Sequence, residues 1–138
     1  MKLLLFLAEN FEYQASEPGS PLAVERPEPS ADRVENAIIA FVQCEPLDED
    51  RADAVLKQAV KYFRWFTRKR GVTRLVLHSF AHLSERRSSP EFAGELLRAL
   101  EERLANHGLD ISSTPFGWSL KWSMSVAGHA YAKTFKSL

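Results

Sequence analysis

The stretch from Leu47 to Arg70 constrains this chain most. Ala52, Val55, Leu56, Ala59, Val60, Phe63 and Phe66 recur at helical spacing and form one apolar face, which must be covered by another layer. On either side lie runs of another kind. Asn36–Cys44 (NAIIAFVQC) and Arg74–Phe80 (RLVLHSF) are apolar and rich in β-branched residues, the signature of buried strands. Asp48, Glu49 and Asp50 crowd the start of the helical stretch, and Arg68, Lys69 and Arg70 crowd its end. Both placements complement the helix dipole, and Gly71 is a stop signal. A strand, a helix and a strand in this order predict an α/β domain.

The flanking sequence extends that reading. Lys2–Ala8 is a near-continuous apolar run, read as a buried strand. Residues 16–33 hold Pro18, Gly19, Pro21, Pro27 and Pro29 among scattered charges and read as a loop. Ser88 or Ser89 caps a second helix, with Pro90 at its start and Glu91 placed to complete a capping box. Its core face is Ala93, Leu96, Leu97, Leu100 and Leu104, and Gly108 ends it. Asp110–Ser112 reads as a short strand and TPFG as a tight turn. From Trp118 to Val126 apolar and polar residues alternate, so Lys121 lies on the face opposite Trp122. Gly128 closes that strand, and a short segment rich in Ala, Tyr and Lys follows. The expected architecture is a mixed sheet with two main helices packed on it, a single domain over residues 1–138.

Composition excludes several classes of function. Eighteen Lys and Arg balance eighteen Asp and Glu, which argues against coating long stretches of nucleic acid by counterion release, but leaves room for a pocket that holds one RNA end. Cys44 is the sole cysteine, so there is no internal disulfide framework, and a reducing cytoplasm is the expected compartment. MKLLLFLA lacks a small-residue cleavage site, and no run reaches the ~18 apolar residues of a membrane span.

The residues able to do chemistry sit at strand ends. His82 follows the third strand in Phe80-Ala81-His82-Leu83-Ser84, where a histidine can orient a substrate or act as a base; taken alone, without a partner, it reads rather as a surface loop residue. His78 and His82 stand four apart, but on a strand running into a loop their rings diverge and no third ligand is evident, so zinc is not expected. Pro115-Phe116-Gly117-Trp118 pairs aromatics with a glycine that lets a backbone approach a ligand; the same residues suit a core beside a turn. Lys121 is either a solvated lysine or an ammonium that meets a phosphate or carbonyl oxygen. Glu9, Glu12, Tyr13 and Glu45 follow strands, where carboxylates can hold an ammonium group. Cys44, with no adjoining histidine, reads as a buried inert thiol.

Read together, KLLLFLAENFEY (Lys2–Tyr13), IAFVQCEPLDE (Ile39–Glu49), FAHLS (Phe80–Ser84), PFG (Pro115–Gly117) and Gly128-His129 carry a resemblance over nearly the whole chain. The sequence resembles the N-terminal editing domain of archaeal threonyl-tRNA synthetases, a relative of the D-aminoacyl-tRNA deacylases. The resemblance implies a D-aminoacyl-tRNA deacylase-like fold, a homodimer, and a place at the front of a longer synthetase. It implies hydrolysis of the ester joining L-serine to the terminal adenosine of threonine tRNA, with no cofactor or metal. The ribose 2′-hydroxyl would help activate water while protein groups hold the geometry. Substrate contacts are expected around Cys44 and Glu45, at Ser79, Phe80 and Ala81, and at Phe116, Gly117 and Trp118. His82 and Lys121 are expected to orient substrate or water.

Two positions depart from the family pattern. The family lysine of the long strand falls one residue earlier, where this chain has Leu120, and a family acid is replaced by Lys133. A one-residue shift on a strand reverses the face. Two alternatives to the editing reading follow: a free-standing D-aminoacyl-tRNA deacylase, and a non-catalytic tRNA-binding or dimerisation module.

Overall fold

A computed structural model describes all residues, 1–138. The elements are β1 (Lys2–Pro18), β2 (Ala31–Gln43), α1 (Pro46–Glu49), α2 (Ala52–Arg70), β3 (Arg74–Ser79), α3 (Pro90–Asn106), β4 (Asp110–Ser113), β5 (Trp118–Val126) and β6 (Lys133–Ser137). The strands form one mixed sheet in the order β4-β3-β2-β1-β5, with β6 also on β1. β2, β3 and β4 run parallel, and β1 is antiparallel to β2. β1 shares its outer edge: Lys2–Phe6 pair with β6, and Ala8–Pro18 pair with β5.

Both faces of the central strands are apolar. Ile38, Ala40, Val42, Leu75 and Leu77 meet Val55, Ala59, Phe63 and Phe66 of α2 and Leu96, Leu100 and Leu104 of α3 in one core. Ile39, Phe41 and Val76 point the other way into a second, smaller core with Phe11, Tyr13 and Val34. No helix covers that second face. α2 and α3 therefore lie side by side on one side of the sheet, and curled strands with the loop after β3 close the other.

Five expectations need correction. β1 is longer than Lys2–Ala8: Glu9 and Asn10 interrupt its apolar run, and across the register shift between Ala8 and Asn10 the odd residues change faces, with Leu3, Leu5 and Leu7 in the helix-side core and Phe11 and Tyr13 in the second. The Pro-rich connection shrinks to residues 19–30, since β1 and β2 extend over both of its ends. The helix from Leu47 breaks at Asp50–Arg51, where Arg51 leaves helical geometry at φ −135, ψ 33. The cause is Asp48: it turns inward, fully buried, to meet the Met1 ammonium at 2.7 Å and the Glu45 N–H at 2.8 Å. An ion pair out of solvent outweighs dipole compensation at a helix end. At α3, Ser89 is the N-cap and accepts from the Phe92 N–H, so Glu91 sits one position too early for a capping box. The closing segment, where no element is expected, contains β6.

Candidate functional site

The loop after β3 owes its shape to two side chains at the end of β2. Gln43 is buried, and its amide makes four hydrogen bonds to the loop backbone. It accepts from the N–H groups of Leu83 and Ser84, and it donates to the carbonyls of Ser84 (3.1 Å) and Arg86 (3.0 Å). All four hydrogen-bonding positions of the amide are used. Glu45 accepts from Ser84 Oγ at 3.0 Å and from the Met1 ammonium at 3.2 Å, with Lys2 Nζ 3.6 Å away. The Phe80 N–H reaches the Val42 carbonyl, and the Ser88 N–H reaches that of Cys44. Residues 80–88 are thus pinned at several points. The N–H groups of Ala81 and His82, between those points, donate to no acceptor within the chain.

The turn at 114–117 is fastened to the neighbouring strand, β3. The Thr114 N–H donates to the Leu77 carbonyl at 2.9 Å, and Thr114 Oγ1 lies 2.9 Å from His78 Nδ1. Phe116 packs on α3 where Gly94 removes the side chain; a Cβ there would meet the ring at 3.3 Å. A glycine inside a helix costs about 1 kcal/mol relative to alanine, and the approach of this ring accounts for it. Gly117 has φ +78, and an added Cβ would lie 3.0 Å from the Ala23 nitrogen, so glycine is required both by conformation and by space. The connection over residues 19–30 docks here: the Gly19 N–H donates to the Gly117 carbonyl at 2.7 Å, and Trp118 Nε1 donates to the Val24 carbonyl at 3.0 Å. The Phe116 and Gly117 N–H groups, like those of Ala81 and His82, have no acceptor in the chain. Between this turn, the end of β3 and the N-terminal half of α3 opens a cleft of about 460 Å³, lined by Ser79, Thr114 and Phe116 among others.

The expected site residues divide into three places. Ser79, Phe116, Gly117 and Trp118 gather about the cleft and its supporting turn. Glu45, Ala81 and His82 belong to the pinned loop, together with Phe80, which turns to the other face of the sheet and packs edge-on against Phe41 at 5.0 Å. His82 is exposed, with its ring 5.3 Å from Phe80. Lys121 joins neither group. It pairs with Gln14, beside Glu12, and lines a groove with Asp32 and Arg33. Its neighbour Trp122 faces the opposite side, 5.6 Å from Phe41. Within one chain, then, the aromatic row Trp122–Phe41–Phe80–His82 shares a face, and Lys121 points away from it. Leu120 is on the His82 side, half-buried against the second core.

Titration separates structural groups from reactive ones. Burial pushes the Cys44 thiol up to about 12, with the Asp48 carboxylate adding to the shift. The thiol is protonated at neutral pH and faces the helix-side core, so it is no nucleophile; its carbonyl is taken by Ser88. His78 is held down at about 4 by burial and is neutral at pH 7, occupied with Thr114. No group of three or more His, Cys, Asp or Glu is arranged to hold a metal. Gln43 and Thr114, which shape the candidate site, are passed over in the sequence, and His78 is weighed there only as a metal ligand. A lone polar residue at a strand end carries no local signature of its partners.

A mixed sheet backed by two helices on one face is the D-aminoacyl-tRNA deacylase-like fold. The same fold occurs in the solved structure of the c-Myc DNA Unwinding Element Binding Protein, with a TM-score of 0.65 at 9% identity, covering 100% of this chain and 99% of that one. The family is given by sequence: residues 1–138 match the family described as the Archaea-specific editing domain of threonyl-tRNA synthetase, and the chain belongs to it. Similar proteins include the threonine–tRNA ligases of Thermofilum pendens (33% identical over 138 residues) and Methanothrix thermoacetophila (34% over 139 residues). That of Thermococcus kodakarensis is 29% identical over 143 residues. The alignments cover 100% of this chain and 22% of each relative, so the chain spans about a fifth of their length. Its family is that of an editing domain, which is a proofreading role. No helix is long and apolar enough to cross a membrane.

Proposed function

We propose that this domain hydrolyses the ester joining L-serine to the terminal adenosine of threonine tRNA, with the ribose 2′-hydroxyl helping to activate the attacking water. The observation that carries this reading is a pairing of supply and lack. The Ala81, His82, Phe116 and Gly117 N–H groups have no acceptor in the chain; the first two sit in the loop pinned to the end of β2, the other two in the turn fastened to β3. Preorganised amides of this kind stabilise a developing oxyanion. No activated protein nucleophile accompanies them, since Cys44 is protonated and buried and His78 is bound to Thr114. An ester hydrolase with donors but no nucleophile takes its activation from the substrate. Family membership supplies the reason for the reaction: serine lacks one methyl of threonine, and a synthetic pocket rejects the smaller amino acid by only ~1–3 kcal/mol.

In this reading Ser79, Phe116 and Trp118 shape the cleft, Ala81 and His82 present backbone and ring to the ester, and Glu45 braces the loop through Ser84. The reaction needs no cofactor. Lys121 serves in an orienting role only if a second copy brings it to the site. The helix-free face of the sheet, with Leu4, Phe6, Leu120 and Trp122 unpartnered by helices, supports such a homodimer.

One observation favours a second reading. With Leu120 where the family lysine stands and Lys121 turned away from His82, the domain is alternatively a tRNA-binding module without turnover. The purified chain decides between them when offered L-seryl, L-threonyl and D-seryl esters of threonine tRNA, each with and without the terminal 2′-hydroxyl. Rapid loss of L-serine, sparing of threonine and collapse without the hydroxyl is the expected result. Preference for D-serine would make it a chiral deacylase, and no turnover by folded protein would make it the binding module.

A further inference from the structure

The exposed side of α2 carries Lys57, Lys61, Arg64 and Arg68. At 100° per residue these four fall within about 60° of arc, forming one ridge along the helix. No carboxylate interrupts it. The acid of α2 is Asp53, in its first turn, where it lies 3.8 Å from Arg103. None of the four cations is in an ion pair, although Lys2, Arg33, Arg51, Arg74 and Arg103 elsewhere are. Beside the ridge Trp65 is 52% exposed and leans on Tyr62 at 5.7 Å, with Lys136 of β6 reaching over Tyr62 at 5.9 Å.

The fold gains nothing from this arrangement. The core side of α2 is the opposite one, and the like charges of Lys57/Lys61 and of Arg64/Arg68, each four residues apart, repel one another. In a chain of zero net charge, an unpaired cationic ridge with an exposed indole beside it is the footprint of a polyanion. α2 starts at the end of the sheet that carries the 80–88 loop and runs away from it. At 1.5 Å per residue the four cations lie roughly 8 to 24 Å along from its first residue. An RNA whose 3′ end enters the site must leave in some direction, and the ridge provides a charged track leading off. We infer that this ridge docks the phosphate backbone of the double-stranded stem behind the 3′ end; the inference rests on the proposed reading of tRNA as substrate.

The test is binding of unacylated threonine tRNA transcript to the whole chain across about 50–200 mM salt. The variant Lys61→Gln/Arg64→Gln/Arg68→Gln is expected to bind at least ~10-fold more weakly at low salt and to lose about 2 to 3 from the slope of log K against log salt. The variant Arg26→Gln/Arg33→Gln/Arg103→Gln makes the same charge change off the ridge and is expected to keep the parent slope. Absence of measurable binding by the parent, an unchanged slope in the ridge variant, or equal losses in both variants would overturn the inference, the last by showing only a net-charge effect. Hydrolysis of a seryl ester of the 3′-terminal trinucleotide, which has no stem, is expected to be the same in ridge variant and parent. If neither cleaves any ester, the deacylase reading fails while the salt slope still decides the ridge.

Discussion

His78 ties the end of β3 to the turn at Thr114, and it does so as a neutral ring. Its folded-state value of about 4 lies below the ordinary 6.5 because burial penalises the imidazolium. The sign of the consequence follows. Above pH 6.5 neither state is protonated and the full stability is present. As pH falls from 6.5 towards 4 the unfolded chain takes up the proton first, so stability is lost across that window. The loss attributable to this residue is about 3 kcal/mol at most. Urea melts between pH 7.5 and 4.5 are expected to show the parent losing more stability than His78→Asn; parallel curves would remove His78 as the cause. Cys44, at about 12, contributes nothing to this window and is expected to remain a bystander.

At the scale of elements, the loop over residues 80–88 depends on Gln43 more than on its own sequence. Gln43→Ala leaves two N–H groups and two carbonyls of the loop without their partner, at a cost of about 2–3 kcal/mol after water re-enters. Amide hydrogen exchange is expected to accelerate at Leu83 and Ser84 well beyond any change in the buried turns of α2. Uniform acceleration would mean that the side chain supports the whole fold and not the loop. The dependence also shows what the sequence reveals and what it conceals. β5 was readable from Trp118 to Val126 because one of its faces is apolar and the other polar. β1 was readable only to Ala8, since Glu9 and Asn10 interrupt the apolar run and the bulge there turns the odd residues to the other face. β6 was not readable, because Lys133–Ser137 is an edge strand with little buried surface. The break before α2 depends on Asp48 meeting Met1, 47 positions away, which no local pattern announces. At the site, FAHLS and PFG were legible as a family resemblance, but Gln43 was not legible, because its partners lie about 40 positions on in sequence.

For the whole molecule, the sheet has one face covered by α2 and α3 and another that no helix covers. Trp122 is 46% exposed and Phe135 57% exposed. Phe135 pairs with Leu4, and Trp122 packs towards Phe11 and Phe41, so both belong to that second face. Exposed aromatics grouped on one sheet face mark an interaction surface more often than they mark solvent-facing decoration. A second copy of the chain is the occupant proposed above; Lys121, on the opposite face of β5, reaches His82 of the other copy only past the edge of that interface. The two consequences are separable. Trp122→Glu/Phe135→Glu places charges on the face without touching the loop or the cleft, and sedimentation equilibrium is expected to show a dimeric parent and a monomeric, folded variant. If Lys121 acts across the interface, the variant loses turnover of L-seryl-tRNA, and Lys121→Ala in the dimeric parent loses it too. If the monomeric variant keeps full turnover, the amides and the RNA hydroxyl suffice within one copy and Lys121 has no part in the reaction. A parent that sediments as a monomer would leave this face for another part of a longer protein and would end the proposal of a homodimer.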